Sequence, residues 1–202
     1  MIEAMGFITA GGRSSRMGKD KAWLELGGRP LIEHVIAALE PVTTRVAIIA
    51  NSPEYARLGF PVFADSQAGI GPLEAIRTAL ASADTSRIVL AGCDLPFVTA
   101  ELFKFLLSIP GSQQAIVPVG ADGKLEPLCA IYSSEALPAV TGLIARDKKK
   151  ISLLFDQIPT RLVAFEELRH LAGSPLFFEN VNTPEDYARI SASLPPRRPT
   201  DS

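Results

Sequence analysis

The sequence predicts an α/β protein: a three-layer, Rossmann-like fold with helices on both faces of a mainly parallel central sheet. Three observations point there. Short apolar runs alternate with segments of helical periodicity along most of the chain. Those runs are continuous rather than alternating, as expected of strands buried from both sides. Glycines and polar residues gather where the runs end, which is where ligands collect in open parallel sheets.

Taken in order, the first strand is expected over Met5–Thr9, where Met5-Gly6-Phe7-Ile8 runs straight into Gly11-Gly12. Leu31, Val35, Ile36 and Leu39 then recur at helical spacing, with Pro30 suited to a first helical turn. Strands follow at Val46–Ala50 and Val62–Ala64. A second helix begins at Pro72, carrying Leu73, Ile76, Ala79 and Leu80. A strand at Ile88–Ala91 precedes a third helix after Thr99, marked by Leu102, Phe105, Leu106 and Ile109. Ala115–Val119 and Leu128–Tyr132 complete the expected strands. Near the carboxyl end, Thr183 before Pro184, with Asp186 three residues on, reads as a helix N-cap.

The chain has 202 residues, the size of one domain of about 100–200 residues. We place that domain at 1–194. Residues 195–202, Pro-Pro-Arg-Arg-Pro-Thr-Asp-Ser, are too polar and proline-rich to pack and are expected to be a disordered tail. A formal charge of −2 offers no broadly basic surface for nucleic acid. No apolar stretch approaches the roughly 20 residues that cross a bilayer, and no basic-then-apolar leader with a cleavage site is evident. Cys93 and Cys129 stand 36 residues apart in no metal or redox motif, which fits a reducing cytoplasm.

The densest signal follows the first strand. Thr9-Ala10-Gly11-Gly12-Arg13-Ser14-Ser15-Arg16-Met17-Gly18-Lys19-Asp20-Lys21 combines glycines with four cations. Glycines let backbone N–H groups turn toward a ligand at close range, and the cations call for a polyanion such as a nucleoside triphosphate. Five residues separate Gly12 from Gly18, and Asp20 follows Lys19, so this is not a Walker A loop. Adjacent Gly11 and Gly12 also fail the dinucleotide fingerprint.

Two carboxylates end apolar runs. Asp94 follows Ile88-Val89-Leu90-Ala91-Gly92-Cys93 and suits a Mg²⁺ held by one or two carboxylates plus substrate phosphates; the competing reading is a turn aspartate before Pro96. Asp65 precedes a loop with Gly69 and Gly71, able to offer backbone groups to a base or sugar, or else caps the following turn. Lys148-Lys149-Lys150 reads as a solvated helix end or a second anion patch. His34, His170 and Trp23 read as structural residues. There is no nucleophile elbow and no zinc spacing.

On these motifs the chain resembles the molybdenum cofactor guanylyltransferases, within the glycosyltransferase-A-like nucleotidyltransferases. The residues carrying the resemblance are Ala10–Lys21, Gly28-Arg29-Pro30-Leu31, Asp65, Gly71-Pro72-Leu73, Cys93-Asp94-Leu95-Pro96, Glu126-Pro127-Leu128 and Asn180-Val181-Asn182-Thr183-Pro184-Glu185. The resemblance implies that Thr9, Ala10, Gly11 and Gly12 open the nucleotide loop and that Lys21 contacts GTP. It implies Asp65 on the nucleotide, Asp94 on nucleotide and Mg²⁺, and Gly71, Pro72 and Leu73 beside guanine. Pro127-Leu128, Asn180 and Asn182 would face the pterin. Arg16, Lys21 and Asp94 would carry catalysis, joining GMP from GTP to molybdopterin with release of pyrophosphate. Molybdoenzymes or their chaperones would be the onward partners, with neither nucleic acid nor membrane involved. Two departures stand out: Thr9 replaces an aliphatic residue, and Glu74-Ala75 replaces a small pair after Gly-Pro-Leu. Alternatives are a cytidylyltransferase for the same pterin, another nucleotidyltransferase, and a non-catalytic cofactor-binding adaptor.

Overall fold

The computed structural model describes residues 3–11, 20–65 and 71–193. Its elements are β1 (Ala4–Thr9), β2 (Glu25–Leu26), β3 (Arg29–Pro30), α1 (Leu31–Leu39), β4 (Val46–Ile49), β5 (Val62–Phe63), α2 (Pro72–Ser82) and β6 (Arg87–Gly92). They continue with α3 (Ala100–Ser108), β7 (Ala115–Pro118), β8 (Cys129–Ser133), α4 (Leu137–Ala145), α5 (Ser152–Phe155), β9 (Thr160–Val163), α6 (Phe165–Leu168) and α7 (Pro184–Ser193). All six strands expected from the apolar runs are present, within one or two residues at each end. The seventh main-sheet strand, β9, and the small β2–β3 ribbon were not anticipated.

The main sheet has the order β5-β4-β1-β6-β8-β7-β9. Strands β5, β4, β1 and β6 are parallel, and β9 is parallel to β7. Strand β8 runs antiparallel between β6 and β7. The reason is connection length: a parallel return needs a crossover of about a dozen residues or more. The short loop between β7 and β8 instead folds back on itself through a Val119–Leu125 bridge.

Alternation along the central strands sorts side chains into two cores. Ala4 and Ile8 of β1, Val46 and Ile48 of β4, and Val89 and Ala91 of β6 pack under α1 and α3, against Ile32, Val35, Leu102 and Phe103. Met5 and Phe7, Ala47 and Ile49, and Ile88 and Leu90 face α2 and α4, against Leu73, Ile76, Val140 and Leu143. Burial on both faces explains why these strands read as unbroken apolar runs. The predicted faces of α1 and α2 are the ones buried, whereas in α3 Leu102 and Leu106 are buried with Phe103, and Phe105 and Ile109 only partly so.

Pro30 departs from its expected place. It pairs with Glu25 across a hairpin whose turn residues, Gly27 and Gly28, both have positive φ, as a two-residue type I′ turn requires. Helix α1 starts one residue later. The cap at Thr183 holds: Asp186 N–H donates to Thr183 Oγ1, and the Asp186 carboxylate accepts from Asn182 and Thr183 N–H. His34 Nε2 bonds the Leu26 carbonyl at 2.9 Å, the structural role expected of it.

The chain leaves β1 toward β4 and β5, then returns to β6 on the other side of β1. That reversal is the switch point above which open α/β sheets bind ligands. Thr9, at the end of β1, lies opposite Gly92, at the end of β6.

Candidate active site

The exits of β1 and β6 are stitched together by the backbone. Cys93 N–H donates to the Thr9 carbonyl at 3.0 Å, and Ala10 N–H continues the ladder to Ile49. The next residue, Gly11, has a φ of 78°, so the strand ends in a turn that favours glycine. Gly12 and Arg16 lie outside the described residues.

Asp20 Oδ1 accepts from Ala22 N–H and caps the single turn Lys21–Trp23. This turn projects Lys21 across the exit of β6. Its ammonium donates to Asp94 Oδ2 at 2.9 Å and to Asn182 Oδ1 at 2.8 Å. Side chains of Lys21 and Asp94 are only 19% and 21% exposed. Hydrogen bonds to charged groups are worth about 1.5–3 kcal/mol when shielded. A pair such as Arg45–Asp84, 61% exposed on each side at 3.7 Å, belongs to the class worth about 0–1 kcal/mol. The lysine bridge is therefore a structural commitment.

Asp94 is held from two directions. Its carbonyl accepts from Val181 N–H at 3.1 Å, which brings the segment before α7 onto the end of β6. Its Oδ1 occupies the space over Gly92, where an added Cβ would stand 2.6 Å away. Only glycine at position 92 leaves that carboxylate oxygen its room. Of the two asparagines, Asn182 reaches the lysine, whereas Asn180 Nδ2 is engaged locally with the Phe178 carbonyl.

A second cluster lies beyond β5. Asp65 Oδ1 accepts from Thr78 Oγ1 at 3.1 Å, so α2 orients this carboxylate. Burial is the main reason that its pKa is raised, with Thr78 acting in the opposite sense. Gly71 precedes α2 with a φ of 78°, and Pro72 is the first helical residue. Leu73 is fully buried in the core under α2, so it can meet a ligand only through its backbone. Glu74, 1% exposed, is matched by Arg77 one turn on, through bonds of 2.6 and 3.0 Å. The unusual residue after Gly71-Pro72-Leu73 thus brings its own counter-charge.

Two further residues lie near the crevice, one of them, Tyr55, unforeseen. Glu126, in the β7–β8 loop, is partly buried, and Tyr55 is fully buried with its hydroxyl on Asp20. Asp20 carried a signal, being next to Lys21. Tyr55 carried none, because an isolated tyrosine in a loop looks like any packing residue. Lys148–Lys150 are exposed and follow the end of α4. Among the described residues, no group of three or more His, Cys, Asp or Glu could hold a metal by itself, and no helix is long and apolar enough to cross a membrane.

The chain, a doubly wound sheet with a glycine turn, a lysine and a strand-end aspartate at its switch point, is a nucleotidyltransferase by its family. The chain belongs to the MobA-like NTP transferase domain family, whose model matches residues 6–161. The probable molybdenum cofactor guanylyltransferase of Carboxydothermus hydrogenoformans is 38% identical to it, over 91% of this chain and 92% of that one. The molybdenum cofactor guanylyltransferase of Vibrio parahaemolyticus is 36% identical, over 91% and 92%. In three dimensions the chain matches the crystal structure of molybdopterin-guanine dinucleotide biosynthesis protein A from Archaeoglobus fulgidus with a TM-score of 0.78. That match covers 93% of this chain and 97% of that one at 24% identity, a likeness of fold.

Glu126 has a measurable consequence. Burial, then the negative charge of Asp122, pushes its carboxyl from 4.5 up to about 7; Lys124 pulls the other way, and Asp94 adds the smallest push. Between those two values the folded state binds more protons than the unfolded one, so this group costs stability as pH rises through the window. Glu126→Gln should be near wild type in stability at pH 4.5, gain on it up to pH 7, and hold a constant advantage above. Urea unfolding at pH 4.5, 6 and 8 reads this; parallel curves would contradict the burial.

Proposed function

We propose that the chain transfers GMP from GTP to the terminal phosphate of molybdopterin, forming the guanine dinucleotide form of the cofactor and releasing pyrophosphate. The observation that carries this reading is the convergence of Lys21, Asp94 and Asn182 at the β1–β6 switch point. The chain's 36–38% identity to molybdenum cofactor guanylyltransferases over nine-tenths of its length supports the substrates.

The acceptor is already a phosphate anion, so the reaction needs no general base. Its oxygen forms a bond to the α-phosphorus while the bond to the bridging oxygen of the β-phosphate breaks, and pyrophosphate leaves with the electron pair. Catalysis then rests on positioning and on neutralising charge. Lys21 supplies a cation whose direction is fixed by two partners. Thr9, Ala10 and Gly11 bring backbone to the phosphates, with Gly12 and Arg16 assigned to the same loop from the sequence. Asp65, Gly71, Pro72 and the Leu73 backbone form the base side; Asn180 and Asn182 lie on the acceptor side.

A magnesium ion fits this donor set. Asp94 presents hard carboxylate oxygen at the crevice, with the Gly92 cradle keeping room for Oδ1. Mg²⁺ takes one or two carboxylates and completes its shell with substrate phosphates and water. Asp94 would hold it together with nucleotide phosphate oxygens, where the ion neutralises phosphate charge.

Pyrophosphate release with GTP or CTP, molybdopterin and Mg²⁺ tests the proposal directly. GTP should be strongly preferred; a CTP preference would make the protein a cytidylyltransferase, and nucleotide binding without release would make it an adaptor. Asp94→Ala should lose on the order of 10²–10³ in rate with an unchanged circular dichroism spectrum. Gly92→Ala is a finer probe, because its new methyl group meets the movable end of Asp94 rather than backbone. It should lower turnover by about tenfold or more, while the melting temperature falls by only a few degrees.

A further inference from the structure

We propose that Tyr55 is a positioning residue for Lys21, acting through Asp20. The inference rests on the reading above, in which Lys21 meets the nucleotide phosphates. Asp20 is a two-sided clamp: one oxygen caps the turn that begins with Lys21, and the other accepts from the Tyr55 hydroxyl at 2.6 Å. The phenol is fully buried. Burial and the neighbouring Asp20 carboxylate both push its pKa upward, so it remains a donor at every working pH.

The segments that carry the clamp are locked together by more than this bond. Trp23, in the same turn as Lys21, stacks on Tyr55 at 5.2 Å and 27°. The Arg57 guanidinium sits 3.7 Å from the centroid of the Trp23 ring. Tyr55 and Arg57 belong to one short helical segment, Pro53–Leu58, so Trp23 is gripped by two residues of a single loop. Gly11 lies at the same place: a Cβ built on it would be 3.9 Å from Tyr55 Cε2. The ring therefore lies beside Gly11, and its hydroxyl holds Asp20. Its hydroxyl sets the orientation of the turn that aims Lys21 at Asp94.

Tyr55→Phe removes the hydroxyl and keeps the stacking. Trp23 is the chain's sole tryptophan, and its Nε1 is buried without a hydrogen-bond partner among the described residues. Its fluorescence therefore reports on this turn alone and gives GTP affinity without the acceptor. Tyr55→Phe should lower kcat for pyrophosphate release by about tenfold, equivalent to about 1.4 kcal/mol. It should raise the GTP dissociation constant by about threefold and leave KM for molybdopterin unchanged. Asp20→Ala should be at least as impaired, and the double variant no worse than Asp20→Ala, because both changes interrupt one path. Wild-type-like kcat and GTP affinity in Tyr55→Phe, or additive losses in the double variant, would overturn the proposal. If the wild-type protein binds GTP yet releases no pyrophosphate, the transfer reading fails; the dissociation constants alone then decide the Tyr55 proposal, for or against.

Discussion

The contact between the Lys21 ammonium and the Asp94 carboxylate organises this molecule's chemistry. It joins residues 73 positions apart, and it exists only because β1 and β6 are neighbours in the sheet. That adjacency follows from the reversal of strand order, and the reversal follows from helices α1 and α2 packing on opposite faces. Sequence patterning thus leads to two apolar cores, the cores to a doubly wound sheet, and the sheet to a cation and an anion meeting at the carboxyl ends of its central strands. In the crevice, each is directed by further partners.

Those partners are a second layer with a consistent logic. Lysine orientation comes from Asp20 and Asn182, while the room for the aspartate comes from Gly92 and its backbone anchor from Val181. On the base side, Thr78 orients Asp65, and Arg77 compensates the buried Glu74. A buried carboxylate lacking such a partner would be costly. Here the compensating charge sits one helical turn away, so the substitution in the Gly71-Pro72-Leu73-Glu74 segment is absorbed within α2 itself.

Much of this was legible in the sequence. Continuous apolar runs marked the doubly buried strands, and Pro72 and Thr183 marked helix starts, because those signals are local. Asp94 was legible because a carboxylate directly after such a run has few other places to point. The direction of β8 was not, since an apolar run has no polarity of its own; the short loop before it decides. Strand β9 escaped notice because it lies at the sheet edge with Leu162 exposed, so Thr160-Arg161-Leu162-Val163 lacks the buried signature of its neighbours. Tyr55 escaped because its role lies in a partner 35 positions away.

The latch of Val181 onto Asp94 also ties the far end of the chain to its first half. Val181 and Ile190 share a buried apolar cluster with Leu26 of the small ribbon and Leu31 at the start of α1. Asn182, which steadies the lysine, arrives only with the last tenth of the polypeptide. A product cut short before residue 181 would therefore lose apolar packing beside the crevice together with the lysine's second partner.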